Sequence, residues 1–248
     1  MHLWIVDGSQ ALVYDTHISL AHARFIRHTL DGMGVTSIRV VLSHWHDDHI
    51  AGNEAFKDCE IIANSLTASA LERGRAEIEG GNPPIKPLVL PNRIFGNSLS
   101  LTVGAIAIEL RQVEIHSHDG TVLLMPDAGL LLAGDTLEDS ITYVSEPERL
   151  SEHLIDLERM AGWRFDRILP NHGSLETIKA GGYDRSFIAA TEAYLRKLLA
   201  CRQDPDLAKQ DLKTFGADMF ATTAVQYFAP YEPVHRQNVE AVITAKRR

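Results

Sequence analysis

Ser43-His44-Trp45-His46-Asp47-Asp48-His49 places three imidazoles and two carboxylates within seven residues, directly after the apolar run Ile38-Arg39-Val40-Val41-Leu42. Imidazole nitrogen suits zinc, iron, nickel or copper, and a carboxylate beside it turns the preference toward hard or borderline divalent ions. The spacing also carries geometry. In an extended chain, residues two apart point to the same face, so a strand continuing through Ser43 would let His44 and His46 grip one ion. Asp48 and His49 follow where the chain must turn, and can face a second ion. Ligands at the C-terminal end of a strand are the usual placement of sites in α/β proteins, so this stretch sets the fold class expected for the whole chain.

Working outward, Leu3-Trp4-Ile5-Val6 and Ala11-Leu12-Val13-Tyr14 flank Asp7-Gly8-Ser9-Gln10 and read as a hairpin. Ser19 precedes apolar residues at 20, 23, 26, 30 and 33, a helical stripe that stops at Gly32 to Gly34. Beyond the cluster, Glu60 to Ala63 reads as a strand and Ser65 to Glu79 as a helix, ended by Gly80-Gly81-Asn82-Pro83-Pro84. The irregular stretch from there to Pro91 is a candidate rim of a substrate cleft. From Arg93 to Leu137 the texture is β, with apolar runs at Leu99–Val103, Ile106–Leu110, Thr121–Met125 and Leu130–Ala133. A helix from about Glu148 to Ala161, a strand Arg167-Ile168-Leu169 and a mainly helical tail from about Tyr183 complete the chain. No linker rich in Pro, Gly and Ser divides it. The expected organisation is a core over residues 1–182 with a helical extension, 183–248, packed on the same domain.

Composition narrows the function classes. The chain has 248 residues, 45% of them hydrophobic, and a net charge of −9. The basic footprint of a nucleic-acid binder is missing, and the closing Lys246-Arg247-Arg248 is too short to supply one. No apolar stretch approaches the roughly 20 residues of a membrane-spanning helix. Asp7 interrupts the first apolar run before it could serve as an export signal, so a cytoplasmic location is expected. Cys59 and Cys201 form no C-x-x-C pair and read as buried thiols. The expected partner is a small-molecule substrate, with neither nucleic acid nor membrane, and a homo-oligomer is left open.

Four ligands on one short loop seldom complete two metal spheres, so further donors are needed. Three places offer them: His116 and His118 in Val113-Glu114-Ile115-His116-Ser117-His118-Asp119-Gly120, Asp135 after Gly134, and His172 in Leu169-Pro170-Asn171-His172-Gly173. Each follows a β-run. In this order and spacing, His44-x-His46-x-Asp48-His49, a histidine, Gly134-Asp135 and His172-Gly173 resemble the metallo-β-lactamase-fold superfamily of binuclear metallohydrolases, over roughly residues 3–175. The resemblance implies an α/β fold, a four-layer αββα sandwich of two mixed β-sheets flanked by helices. It implies that His44, His46 and His116 bind one metal, that Asp48, His49 and His172 bind another, and that Asp135 bridges them. His116 takes preference over His118 because relatives place the ligand about five residues before a small hydroxyl residue, here Thr121.

By the same resemblance, a hydroxide held between two divalent metal ions, expected to be zinc with iron or manganese as substitutes, would attack an ester, lactone, thioester or amide. Asp48 is the best-placed proton shuttle. Trp45, Tyr143 and His118 are candidates to touch substrate or support the ligands, as are Ser43 and Thr136 for support alone. Specificity is expected to reside in residues 80–92, residues 138–146 and the tail. A bridging Asp135 brings the chain closer to glyoxalase II and lactonase-like members than to true β-lactamases. Glu138 stands where some β-lactamases carry a lysine for the substrate carboxylate, which disfavours β-lactam hydrolysis. The same fold would also accommodate a non-catalytic member or a di-iron redox member, although flavodiiron relatives generally have Glu where His46 stands.

Overall fold

The computed structural model describes residues 3–245, so the basic triplet at the C-terminus lies outside the described residues. The chain forms two compact units. The first runs up to Gln112 and adds Asp119–Ala128, and the second comprises Val113–His118 and the residues from Gly129 onward.

In the first unit, β1 (Leu3–Asp7) and β2 (Gln10–Tyr14) form the expected antiparallel hairpin, with Gly8 taking a φ of +58° at its turn. The sheet continues through β3 (Ser37–Val41), β4 (Glu60–Asn64) and β5 (Arg93–Phe95), all paired in parallel, in the order β1-β2-β3-β4-β5. Parallel neighbours need crossover segments. Helix α1 (Leu20–Gly32) lies in the crossover from β2 to β3 and α3 (Ser65–Glu79) in that from β4 to β5. Ser19 caps α1 by accepting the His22 amide, as its position before the apolar stripe predicted. The stripe buries Ala23, Ile26 and Leu30 against Val13, Val40, Leu42 and Ile61, each worth about 1.5–3 kcal/mol for the larger side chains. Met33, its last member, is exposed because it caps the helix end.

The second sheet has the order β10-β9-β8-β7-β6, built from β6 (Ser98–Val103), β7 (Ile106–Ile115), β8 (Ser117–Met125), β9 (Leu130–Gly134) and β10 (Arg167–Pro170). It is mixed: β6 and β7 are antiparallel, β9 and β10 parallel. Strands β7 and β8 are longer than their apolar runs and nearly meet at His116. The extra length hides in alternation, since Val113 and Ile115 are buried while Gln112 and Glu114 are only partly so.

The second unit carries α4 (Leu150–Ala161), α5 (Leu175–Lys179), α6 (Ser186–Ala200), α7 (Leu212–Phe215), α8 (Ala217–Thr222) and α9 (Glu232–Thr244). Helix α6 buries the stripe Phe187, Ala190, Tyr194 and Leu198. Two mixed five-stranded sheets flanked by helices, followed by a helical C-terminal region, are the architecture anticipated from the sequence. Among the described residues, no helix is long and apolar enough to cross a membrane. Cys201 is buried, and Cys59 is partly buried, with its thiol pushed up to about 11 chiefly by that burial.

Candidate metal centre

The first unit brings His44, His46, Asp48 and His49 together, by a route other than a continuing strand. Strand β3 ends at Val41, and residues 42–46 are irregular. His46, with extended φ and ψ, then opens the short helix α2 (Asp47–Ile50), which carries Asp48 and His49. The early end of the strand follows from Asp15, whose carboxylate takes the Ser43 amide at 2.6 Å. His44 Nε2 and His46 Nδ1 nevertheless converge to 2.8 Å. His49 Nε2 faces Asp48 Oδ2 at 3.4 Å.

The tautomer of His49 follows from its partner. An ionised carboxylate only accepts, so His49 Nδ1, 2.9 Å from Asp15 Oδ2, carries the proton and Nε2 presents its lone pair. Asp15 is buried and holds a φ of +65°, and His17 beyond it holds +71°. Left-handed backbone favours glycine, so the Asp15 side chain is accommodated at a steric cost in order to orient its two partners.

The second unit gathers His116, Asp135 and His172. His116 is the single residue between β7 and β8 and takes a φ of +68°, which turns its ring out of the strand alternation. Gly134, with a φ of +58°, lets β9 end in the turn that carries Asp135. His172 follows β10. Asp135 Oδ2 lies 3.9 Å from His116 Nε2 and 3.5 Å from His172 Nε2, so one carboxylate oxygen faces both imidazoles. His116 Nδ1 sits 3.0 Å from the Tyr143 carbonyl and 3.3 Å from Glu138 Oε1. Both are acceptors, so here too Nδ1 is protonated and Nε2 carries the lone pair that can ligate. His116, Asp135 and Glu138 form a buried group of potential ligand atoms lying within 4.8 Å of one another.

The secondary candidates take definite places. His118 lies inside β8, with Nδ1 2.6 Å from Glu146 Oε1 and its amide donating to Oε2. Burial would raise the Glu146 carboxyl, yet hydrogen bonding from His118 holds it below the ordinary value. Trp45 packs against the hydrophobic core and meets His46 edge-on. The Tyr143 side chain is exposed while its backbone serves His116. Ser43 Oγ lies 2.9 Å from His44 Nδ1, on the side of the ring away from His46, and Thr136 donates to the Ala133 carbonyl.

Sequence reasoning missed Asp15, and it assigned Glu138 only an effect on substrate charge. Asp15 stands 28 residues before the amide it binds. The signal that could have drawn attention to it was an acidic residue just past a strand that neighbours the one leading into the histidine cluster.

Both clusters have the chemistry of a divalent-metal shell: imidazoles, of which His44, His49 and His116 have the outer nitrogen tied down, and carboxylates beside them. The family model of the metallo-beta-lactamase superfamily matches residues 3–208. The chain belongs to that superfamily, a fold that generally binds metal ions. It is similar, at 24% identity over 200 residues, to an acyl-coenzyme A thioesterase, MBLAC2, of Gallus gallus, with 69% of this chain and 72% of the relative covered. It is 27% identical over 143 residues to a beta-lactamase-like protein 2 homolog of Drosophila melanogaster, covering 55% of this chain and only 44% of that relative. Among solved structures, a metallo-beta-lactamase from Pontibacter korlensis shares the fold, with a TM-score of 0.64 and 20% identity over 79% of this chain and 86% of the other. The DIM-1 metallo-beta-lactamase does so with a TM-score of 0.62 and 21% identity over 79% and 84%.

Proposed function

We propose that the protein is a binuclear metallohydrolase acting on a small molecule, in which His44, His46 and His116 hold one divalent ion, Asp48, His49 and His172 a second, and Asp135 is shared. The observation that carries the reading is Asp135 Oδ2 placed between the Nε2 atoms of His116 and His172, with the outer nitrogen of His116 already tied to an acceptor. Zinc is the expected metal. When bound, such ions supply a nucleophile at neutral pH and polarise the scissile bond.

The chain's own residues do the rest. Asp15 and the Tyr143 carbonyl keep the outer imidazole nitrogens protonated, so that the inner ones stay basic. Asp48, with a side chain 37% exposed, can reach both solvent and His49, and is the group placed to carry a proton toward a leaving atom. Glu138 is buried in hydrogen bonds from Tyr143 and Thr142 and faces His116. It is committed to the ligand rather than offered to a substrate.

The bond cleaved is an ester, thioester, lactone or amide. Similarity to the thioesterase of Gallus gallus puts thioesters first among those to be tried. The test is a panel of these substrate classes on metal-replete protein, with metal analysis in parallel and Asp135→Ala as control. Bound metal near two equivalents, with turnover lost in Asp135→Ala, is expected. Less than about one equivalent, or hydrolysis that survives complete removal of metal, would overturn the proposal.

A further inference from the structure

We propose that Asn238, on α9, is a positioning residue for His116, acting through the backbone of residues 142–144. The inference rests on the metal reading of His116. Residues 138–144 form neither helix nor strand, so no ladder fixes them, and the Tyr143 side chain is 43% exposed and anchors nothing by burial. Yet the Tyr143 carbonyl is, with Glu138 Oε1, one of the two acceptors that set the His116 tautomer, and the nearer of them.

Asn238 supplies the missing constraint. Its Oδ1 accepts from the Val144 amide at 2.9 Å, and its Nδ2 donates to the Thr142 carbonyl at 2.8 Å. One buried carboxamide thus pins the residues on both sides of Tyr143. The Tyr143 amide donates to Glu138 Oε1 at 3.1 Å, so the peptide units on either side of Tyr143 are held and the carbonyl cannot turn away from His116.

The carboxamide itself cannot flip. His235 Nε2 faces the Gln210 carbonyl at 3.2 Å, an acceptor, so Nε2 carries the proton and Nδ1 accepts. Tyr194 donates its hydroxyl proton to that Nδ1 at 3.1 Å, and its oxygen accepts from Asn238 Nδ2 at 3.1 Å. Donation runs outward from the Asn238 amide group without conflict, one hydrogen to the Thr142 carbonyl and the other, through Tyr194 and His235, toward the Gln210 carbonyl, and each polar group along this relay is used. Burial depresses His235, which keeps it in the neutral form that this direction requires. An apolar side chain of similar volume would satisfy the packing of α9. The amide is needed for the loop.

The test compares wild type with Asn238→Leu, Asn238→Asp and Val242→Ala. Val242 is buried on the same helix, outside this network, and controls for lost packing. Metal-free proteins are titrated with cobalt(II), following the ligand-field absorption for affinity and geometry, and their thermal midpoints are recorded. Both Asn238 variants are expected to bind cobalt about tenfold or more weakly with altered bands, while Val242→Ala keeps the wild-type spectrum and affinity whatever stability it loses. If one Asn238 variant does not fold, the other decides. Wild-type binding by a folded Asn238 variant, or an equal loss in Val242→Ala, would overturn the role of Asn238 alone. A wild-type protein that takes up no cobalt would overturn the metal reading with it.

Discussion

Single side chains decide whether the donors are presented in the right protonation state. Asp15 satisfies the Ser43 amide with one oxygen and His49 Nδ1 with the other. In Asp15→Asn one of those positions becomes a donor, so either the Ser43 turn loses its acceptor or His49 is driven to the tautomer with Nε2 protonated. A drop of about 10–100-fold in metal affinity is expected, read by competition with a chromogenic chelator, and wild-type affinity would refute the assignment. His153 makes the complementary case, where burial works against charge. It lies on α4 with Nε2 lacking a hydrogen-bond partner among the described residues, and burial lowers its pKa from 6.5 to about 4. The unfolded chain therefore takes up a proton at pH values where the folded chain does not, so stability falls as pH drops from about 6.5 toward about 4. Full expression of the shift amounts to about 3 kcal/mol. Urea unfolding across this range should show His153→Leu losing less stability than wild type on acidification, and parallel curves would refute it.

Secondary-structure elements convert such contacts into placement. Asn64 closes β4 and caps α3, accepting the Leu66 and Thr67 amides, while its Nδ2 donates to the Asp119 carbonyl at 2.6 Å and to Thr121 Oγ1 at 2.8 Å. The Thr121 amide in turn donates to the Ser43 carbonyl, next to His44. Asn64→Asp keeps the cap and loses the donor, whereas Asn64→Ala loses both. Denaturant midpoints should be highest for wild type, lower for Asn64→Asp and lowest for Asn64→Ala, with about 1 kcal/mol separating cap from no cap. Equal losses in the two variants would remove the cap from the account. The elements were legible where local chemistry sets them: Ser19 as a cap, Asp7 to Gln10 as a turn, Ser65–Glu79 as a helix. So were the histidines and aspartates that the structure gathers into groups, because their residue types cluster after apolar runs. The polar half of β7, the short helices α2 and α5, and the roles of Asp15, Glu138 and Asn238 were not legible. Each depends on a partner remote in sequence: Asn238 lies 94 residues from the amide it accepts. A period-2 pattern with only Val113 and Ile115 apolar is too weak to announce a strand.

At the scale of the whole molecule, metal binding and folding should be one equilibrium. On the proposed assignment each ion draws on residues far apart in the chain, from His44 to His172, and the unfolded chain cannot hold them together. An ion present at a thousand times its dissociation constant then stabilises the fold by about 4 kcal/mol. For a chain of this size that corresponds to roughly 8–16 °C in thermal midpoint, at about 2–4 °C per kcal/mol. Removing metal also leaves Asp135, 6% exposed, facing imidazoles without the cations that would balance it. The dependence should carry a pH signature of definite sign. Ligating imidazoles must be neutral, so protons compete with metal, and affinity weakens as pH falls through the histidine range. Thermal scans with and without chelator should therefore differ most near pH 8 and converge toward pH 5. Asp135→Ala should show little difference at any pH. Scans of wild type that coincide at pH 8 would break the link between fold and ion.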